Sequence, residues 1–500
     1  MTINVGVVYN CCMSSTVKLS VEDKDFLRIL ADFAFSNPFE KQSFELAYKI
    51  AGGSYSAGEE LSRHVFESVK SRIDKVTANG RFNWKHFSGE DKELVRVALL
   101  HDSYYRCYAE FDHLIRHQTQ DGYQDTNVSF AKESLLILRK RGFSVADSLR
   151  YFSFYYQLRR AWYFINHGLI GQSNSMEVLR SHLWRSVFTS FPGLYEQIMW
   201  NRMEDFSTFV VGETGTGKGT AAAAIGQSGF IPFLEKKERF AESFFNNFIE
   251  INLSQFSEAI IESELFGHRK GAFTGAVDHH EGIFSRCSPH GSIFLDEIGD
   301  VSIPIQIKLL KVLEERTFTA VGGHEKLQFE GRIITATNKP FIELKQQKIF
   351  REDFYYRLCS NVIHVPTLRQ QISEAPSTLI ALLEHTIQRI TGAPLPFLLD
   401  QVLDILKKEV GKDYDWPGNV RELEQAVRSI LLTKHYTRNR SEAVEYKLNF
   451  HQAIDSESLD AQKLVSVYCR ILYEKYGTYE KVARITNLDP RTVKKHIVDA

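Results

Sequence analysis

Residues 207–218 read STFVVGETGTGK, in which a short β-prone run ends in a glycine-rich loop and a lysine. The loop, residues 212–218, fits the pattern G-x-x-x-x-G-K, whose backbone N–H groups surround phosphate oxygens at the start of a helix. Lys218 is expected to reach the outer phosphates of a nucleotide. The predicted nucleotide-binding residues are Gly212, Glu213, Thr214, Gly215, Thr216, Gly217, Lys218 and Gly219.

Three further β-prone runs end in polar residues. FIEIN ends at Asn252, SIFLD precedes Glu297, and RIITAT precedes Asn338. Strands that alternate with helices predict a parallel α/β sheet, and ligands of such sheets lie at the carboxyl ends of the strands. The four polar turns are therefore expected to form one site.

The SIFLD run delivers two adjacent carboxylates, Asp296 and Glu297. Asp296 is expected to hold Mg²⁺, directly or through water, while Glu297 polarises the attacking water. Asn338 would sense or position the same water. An apolar run that ends in Asp-Glu is equally compatible with a structural pair, but its combination with the phosphate loop favours nucleotide hydrolysis.

Composition limits the other classes of function. The chain has 500 residues, 25% of them charged, and a formal net charge of −1, so any DNA contact must come from a local basic element. Six cysteines lack metal-ligand spacing and indicate reduced thiols. The sequence has no apolar run long enough to cross a membrane and no export signal, which predicts a cytoplasmic protein without membrane contact.

The chain divides into four regions that differ in composition and in predicted secondary structure. Residues 1–168 are aromatic-rich and helical, with helix starts predicted at Ser88 and Ser144, and residues 169–434 carry the α/β pattern. Residues 435–457 are polar and irregular, which indicates a linker. Residues 458–500 return to compact helices, so the predicted fold class is a multidomain α/β protein.

One further motif, GAFTGA, suggests a specific family. Together with the phosphate loop and the carboxylate pair, it resembles the AAA+ domain of sigma-54-dependent activators, also called bacterial enhancer-binding proteins. The resemblance implies an AAA+ P-loop ATPase with a helical lid, which uses ATP to open promoters for RNA polymerase carrying sigma-54. The implied sigma-54 contacts are Gly271, Ala272, Phe273, Thr274, Gly275 and Ala276.

The same resemblance assigns roles to other residues. It implies that Asn252 is a switch that restrains the catalytic glutamate, and that Arg421, in WPGNVRELE, senses the nucleotide. Arg351 and Arg357 fall at the arginine fingers, which act on a neighbouring subunit and imply a ring, expected to be a hexamer. A surface salt bridge is the alternative for each of these two arginines.

The chain departs from the family pattern in several places. Gly219 replaces the usual Glu, and it also lacks the hydroxyl with which most phosphate loops bind magnesium. Thr220 lies about 100° further around the helix and is a poor substitute. The stretch from Lys218 to Asn252 is longer than usual, as is TSFPGLYEQIMWNRMED before the first strand, and LRQQISEAP replaces an Arg-Glu-Arg-rich turn.

The C-terminal sequence TYEKVARITNLDPRTVKKHIVDA predicts a helix–turn–helix of the Fis type. Its first helix is expected over 479–486, the turn over 487–489, and the second helix from Pro490. A packing hairpin with solvated lysines is the alternative. The predicted contacts to upstream DNA are Arg491, Thr492, Lys494, Lys495 and His496.

The N-terminal region offers no recognisable signal-receiving motif. His113 and His117 have the spacing of metal ligands on a helix, but ordinary surface histidines are the more frequent reading, and His101 is expected in the core. Its position predicts that this region regulates the ATPase. Two other functions stay open: a remodelling ATPase with no sigma-54 role, and a DNA-binding regulator with a vestigial ATPase.

Overall fold

The computed structural model describes residues 18–56, 58–78, 83–121, 127–339, 350–411, 414–436, 461–476 and 478–498. The predicted linker, residues 435–457, lies outside this part except for its first two residues. The chain divides into two compact units, one of residues 1–395 and 415–425, the other of residues 396–414 and 426–500.

The described elements alternate between helices and short strands after a helical N-terminal region. The strands are β1 (Thr208–Val211), β2 (Phe233–Leu234), β3 (Arg239–Phe240), β4 (Phe248–Asn252), β5 (Ser292–Asp296), β6 (Thr317–Phe318), β7 (Leu327–Gln328), β8 (Arg332–Thr337) and β9 (Asn361–His364). The helices are α1 (Val21–Ala34), α2 (Lys41–Ala51), α3 (Glu59–Val76), α4 (Gly89–Asp121), α5 (Ala131–Lys140), α6 (Val145–Gly168), α7 (Asn174–Phe188), α8 (Pro192–Gln197), α9 (Lys218–Gly226), α10 (Glu258–Phe266), α11 (Ile283–Arg286), α12 (Ile303–Glu315), α13 (Glu352–Leu358), α14 (Leu368–Glu374), α15 (Ser377–Thr391), α16 (Pro396–Glu409), α17 (Asn419–Thr433), α18 (Ala461–Tyr476), α19 (Tyr479–Thr486) and α20 (Pro490–Val498).

Five strands form one parallel sheet in the order β4-β5-β8-β1-β9. The four runs predicted from the sequence are all in it, and the prediction of a parallel α/β sheet is confirmed. β9 joins the edge beside β1, in the register Thr208 to Asn361, and was not predicted. Central strands are buried on both faces, as in β8, where all six residues are buried.

The N-terminal helices share a hydrophobic core with the sheet. One cluster of buried residues runs from Cys107 on α4 through α6 and α7 to Phe294 and Ile334 in the sheet. Helix α6 begins as predicted, with Ser144 Oγ accepting from the N–H of Asp147. The boundary predicted between residues 168 and 169 stays a prediction about domains, but the core is continuous across it.

The long segment between α9 and β4 carries the contact surface for these helices. It contains the antiparallel pair β2–β3, whose Phe233 and Phe240 point into the shared core. The Phe240 ring lies 3.9 Å from that of Tyr156 and is stacked on it, and the Phe233 ring lies 4.9 Å from that of Phe152. The extra length of this segment therefore serves to hold α6.

Helix α6 also binds the end of α9, the helix that follows the phosphate loop. The fully buried Arg160 donates to the carbonyl oxygens of Gln227, at 2.7 Å, and Gly229, at 2.6 Å. Gln157 donates to the carbonyl of Ser228 at 3.0 Å. Carbonyls at a helix C-terminus have no partner within the helix, so these two side chains supply donors to partly or fully buried groups that the helix itself leaves without a hydrogen bond.

The second unit ends in three helices. Helices α19 and α20 have the bounds predicted for the helix–turn–helix, and Asn487 between them has a φ of 56°, which ends α19 in the left-handed conformation. They enclose a small core with α18 that includes Cys469, Val482 and Val493. None of the helices in the described residues is long and apolar enough to cross a membrane.

Replacing Arg160 with Met should lower the stability of the full chain by about 2–4 kcal/mol, because it leaves two partly buried carbonyls without donors. Arg63→Met, at an exposed position, should change stability by less than about 0.5 kcal/mol. Urea denaturation of both variants, followed by circular dichroism, measures the difference. Equal midpoints for the two variants would contradict the role given to Arg160.

Candidate functional site

The glycine-rich loop between β1 and α9 has the backbone of a phosphate cradle. Gly215 and Gly217 have φ values of 78° and 97°, in the left-handed region that favours glycine. Gly217 is the N-cap of α9, whose first turn therefore presents the positive end of its dipole to the loop. A side chain at Gly217 would meet no atom within 4 Å, so the loop is open on this side.

Lys218 lies across the loop. Its ammonium donates to the carbonyl oxygens of Gly212, at 3.1 Å, and Glu213, at 3.3 Å. Burial lowers the pKa of Lys218, and the nearby carboxylates of Glu297 and Asp296 oppose that shift. The amine is thus held at the mouth of the loop beside two acids, in the position from which it can reach a phosphate.

The two carboxylates are delivered by β5 as predicted. Asp296 Oδ1 accepts the N–H of Glu297 at 3.0 Å, and its Oδ2 lies 3.4 Å from the amide nitrogen of Asn252, at the end of neighbouring β4. Glu297 has a φ of 54°, a left-handed conformation that is strained for a residue with a side chain and is common at functional sites. The chain turns sharply there, which separates the directions of the two carboxylates.

Asn338 connects Glu297 to the phosphate loop. Its backbone N–H donates to Glu297 Oε2 at 3.1 Å, and its side-chain amide donates to Thr214 Oγ1 at 3.2 Å. Burial raises the pKa of Glu297, while the hydrogen bond from Asn338 and the charge of Lys218 act in the opposite direction. A carboxylate with a raised pKa beside a phosphate cradle is suited to accept a proton from water.

Asn252, the predicted switch residue, contacts a different carboxylate from the one expected. Its amide lies near Asp296 rather than Glu297, and its Oδ1 accepts the N–H of Ser254 at 3.0 Å. It thereby caps the short turn that leads from β4 towards α10. The role of Asn252 as a restraint on Glu297 stays a prediction.

Gly219 faces an acid on the neighbouring strand. A Cβ at Gly219 would lie 3.7 Å from Glu250 Oε1. Burial, followed by the charge of Asp296, raises the pKa of Glu250. Gly219 thus contributes no carboxylate to the first turn of α9, and the carboxylate of Glu250 on β4 lies beside this position.

The segment that contains Asn419 and Val420 packs against the phosphate loop, and the sequence analysis did not predict this contact. The fully buried Asn419 donates its amide to Glu213 Oε2, at 3.2 Å, and to the carbonyl of Thr214, at 3.0 Å. The N–H of Val420 donates to the carbonyl of Gly215 at 3.0 Å. Asn419 lies in the WPGN sequence that precedes Arg421, and that motif was the signal available for it.

The remaining predicted residues lie in three different settings. Arg421 is exposed at the start of α17, and its charge acts on Lys218. Arg351 pairs with Asp353, with 2.7 Å between Nη2 and Oδ2, on the surface. Arg357 donates to the carbonyl of Leu313, at 2.8 Å from Nη2. Both predicted finger residues thus make these contacts outside the phosphate loop of their own chain.

The GAFTGA sequence forms an exposed loop between α10 and α11. Hydrogen bonds between the backbones of His268 and His280, both 3.0 Å, close its base. Gly271 and Gly275 have φ values of 81° and 105°, and a Cβ at either would meet nothing within 4 Å. Thr274 is exposed, and Phe273 is 42% exposed while its ring contacts that of His268 at 4.9 Å.

No cluster of three or more His, Cys, Asp or Glu residues suited to a metal ion occurs in the described residues. His113 and His117 have ring centroids 6.4 Å apart. Mg²⁺ typically takes one or two carboxylates and completes its shell with phosphate oxygens and water. Asp296 at the mouth of the phosphate loop fits that requirement.

Comparison with known proteins agrees with this geometry. Residues 189–364 match the family model described as the Sigma-54 interaction domain. The chain is 40% identical over 228 residues to the DNA-binding transcriptional regulator NtrC of Azospirillum brasilense, covering 45% of this chain and 43% of the relative. It is 38% identical over 244 residues to the nitrogen fixation protein AnfA of Azotobacter vinelandii, covering 48% and 42%.

A third relative gives the same result. The regulatory protein AtoC of Escherichia coli (strain K12) is 34% identical over 249 residues, which cover 49% of this chain and 50% of AtoC. The chain therefore spans about half the length of the curated relatives that it matches. Over residues 189–364 the chain is thus similar to the Sigma-54 interaction domain.

Proposed function

We propose that this chain hydrolyses ATP to convert the closed promoter complex of sigma-54 RNA polymerase to the open one. One observation carries the proposal: the parallel sheet brings Lys218, Asp296, Glu297 and Asn338 to one edge, while the same domain exposes an intact GAFTGA loop. The first feature suits nucleotide hydrolysis and the second suits contact with a protein partner. Both are needed for an ATP-driven activator.

In the proposed reaction, the loop from Gly212 to Lys218 binds the phosphates of ATP and Lys218 contacts the outer ones. Asp296 would hold Mg²⁺, which when bound supplies positive charge that stabilises the phosphate oxygens. Glu297 accepts a proton from the attacking water, and the N–H of Asn338 fixes its carboxylate. Turnover should fall as the pH drops through the raised pKa of Glu297, because the protonated acid cannot act as a base.

A short segment of the chain connects the nucleotide site to the GAFTGA loop. Asn252 ends β4 beside Asp296 and caps the turn before α10, and α10 leads directly into the GAFTGA loop. Glu264 on α10 lies 3.4 Å from His280 at the base of that loop. A change in the partners of Asn252 during hydrolysis would thus move α10 and the loop that presents Phe273 and Thr274 to sigma-54.

We further propose that the chain assembles as a hexameric ring in the cytoplasm. Arg351 is exposed, and Arg357 donates to the carbonyl of Leu313, away from the site, so an arginine that stabilises the γ-phosphate would come from a neighbouring subunit. An exposed ion pair such as Arg351 with Asp353 is weak and readily exchanged. These features support action across a subunit interface.

DNA binding is assigned to α20. Arg491, Thr492, Lys494 and Lys495 are exposed along it, and the local positive charge suits phosphate and base contacts. His496 accepts or donates a hydrogen bond at 2.8 Å with Ser466 of α18 and is half-buried, so we assign it a packing role instead. The proposed target is DNA upstream of the promoter.

Glu297→Gln should bind ATP with little change in affinity, because the side chain keeps its shape. Its turnover should fall at least about 10²-fold, because the amide cannot accept the proton. Phosphate release and nucleotide titration measure the two properties, with Glu281→Gln, at an exposed position outside the site, as the control. Unimpaired turnover would mean that another group is the base.

Thr274→Ala should keep ATP hydrolysis within about twofold and lose open-complex formation, since the residue is exposed and far from the nucleotide loop in sequence. In vitro transcription from a sigma-54 promoter, beside a phosphate-release assay, separates the two activities. The exposed Thr119→Ala is the matched control. Full transcription by Thr274→Ala would favour a remodelling ATPase with no sigma-54 role.

Lys495→Ala should weaken the binding of upstream DNA and reduce the slope of log Kd against log salt by about 1, because one phosphate contact is lost. Lys481→Ala is the control, because Lys481 lies on α19 with its ammonium 4.6 Å from the centre of the Tyr476 ring. Fluorescence anisotropy at several salt concentrations gives both slopes. Identical slopes for the two variants would count against α20 as the DNA-contacting helix.

A further inference from the structure

The N-terminal helices line a partly open cavity of about 710 Å³. Its volume falls in the range of small-molecule sites, about 300–1,000 Å³. Fourteen of the 33 residues that line it are Phe, Tyr or Trp, whereas these types make up 12% of the chain. Among them are Phe39, Tyr105, Tyr108, Trp162 and Trp184.

One buried polar side chain in the wall has no partner. His101, on α4, is 8% exposed, and neither of its ring nitrogens has a hydrogen-bond partner among the described residues. Its ring lies between those of Phe33, at 5.8 Å, and Tyr105, at 4.7 Å. A buried polar group without a hydrogen bond is destabilising, so a molecule in the cavity that bonded to His101 would gain free energy.

Three of the four charged side chains in the wall are paired, and the fourth, Glu59, is exposed at the start of α3. Arg159 binds Asp112 through two hydrogen bonds of 2.7 Å, and Arg96 binds Glu196 at 2.6 Å. Burial lowers the pKa of His101 to about 4, so the imidazole is neutral near pH 7 and offers one donor and one acceptor. An ionic ligand would find no free counter-charge next to His101.

We infer that this cavity binds a small, uncharged aromatic molecule that packs among the aromatic side chains and makes a hydrogen bond to His101. Aromatic rings prefer tilted or offset contacts with other rings, and the wall offers them on several sides. The polar group of the ligand would satisfy the imidazole. The paired charges near His101 favour a neutral molecule over a carboxylate or an amine.

Helix α6 connects the cavity to the phosphate loop. Tyr155, Arg159 and Trp162 line the cavity from one side of the helix. Arg160 and Gln157, on another side, hold the carbonyls that follow α9. A ligand that shifts α6 would therefore alter the support of the helix that starts at Lys218, and regulation of the ATPase in this way rests on the proposed function.

Isothermal calorimetry of the full chain tests the ligand class directly and needs no ATPase activity. Indole, a neutral aromatic with one N–H donor, should bind at least tenfold more tightly than indole-3-acetate, which carries a charge, and cyclohexanol, which lacks an aromatic ring. Absence of indole binding up to millimolar concentration would overturn the inference. Equal binding of the three probes would also overturn it.

Variants locate the site. His101→Phe keeps the ring contacts and should weaken indole binding at least fivefold, while His101→Gln, which keeps a donor and an acceptor, should recover part of it. Ser62→Phe adds a ring at the exposed edge of the cavity and should block binding, and Ser71→Phe, at an exposed position on the same helix outside the cavity, should not. Unchanged affinity in both His101→Phe and Ser62→Phe would place the ligand elsewhere.

A second measurement concerns regulation alone. Saturating indole should change the rate of phosphate release by the full chain at least twofold in either direction, and Ser62→Phe should remove that effect. If indole binds with the expected selectivity while the chain shows no ATPase activity, the proposed function fails and the ligand site stands. If hydrolysis is normal but indole does not bind, the ligand inference fails alone.

Discussion

The parallel register of the central sheet is the constraint on which the site depends. β1 pairs with β8 from Thr208 opposite Ile334, and β4 pairs with β5 so that Asn252 lies opposite Asp296. The carboxyl ends of parallel strands lie at the same edge of the sheet. The phosphate loop, the two acids and Asn338 each follow one of these strands, and they therefore lie close together. The hydrogen bonds of Asn338 to Glu297 and Thr214, and that of Asn252 to Asp296, join the ends of different strands at this edge.

Much of this edge could be predicted from the sequence. Each strand run is short and β-prone and ends at a glycine or a polar residue, so the sequence predicts both the strand and the position of its functional group. The bounds of the helix–turn–helix could also be predicted from the sequence. Pro490 marks the start of α20, and Asn487 adopts the left-handed backbone conformation in the turn before it. Residues with special backbone preferences mark boundaries well.

Other features could not be predicted because they depend on tertiary contacts. The aromatic stripes of α6 indicate burial but do not say what covers them, and the covering pair β2–β3 has only two residues in each strand, too few for a periodic pattern. Asn419 is a single amide at the first position of α17, and its side chain makes three hydrogen bonds to residues distant in sequence. The unpartnered state of His101 is likewise visible only in three dimensions.

The central claim is that the state of the nucleotide controls the exposed GAFTGA loop. Retention of purified sigma-54 by the full chain, with no nucleotide, with ADP, and with ADP plus aluminium fluoride as a mimic of the transferring phosphate, tests it most directly. The account predicts retention only with the mimic. Equal retention in all three conditions, or none in any of them, would contradict it.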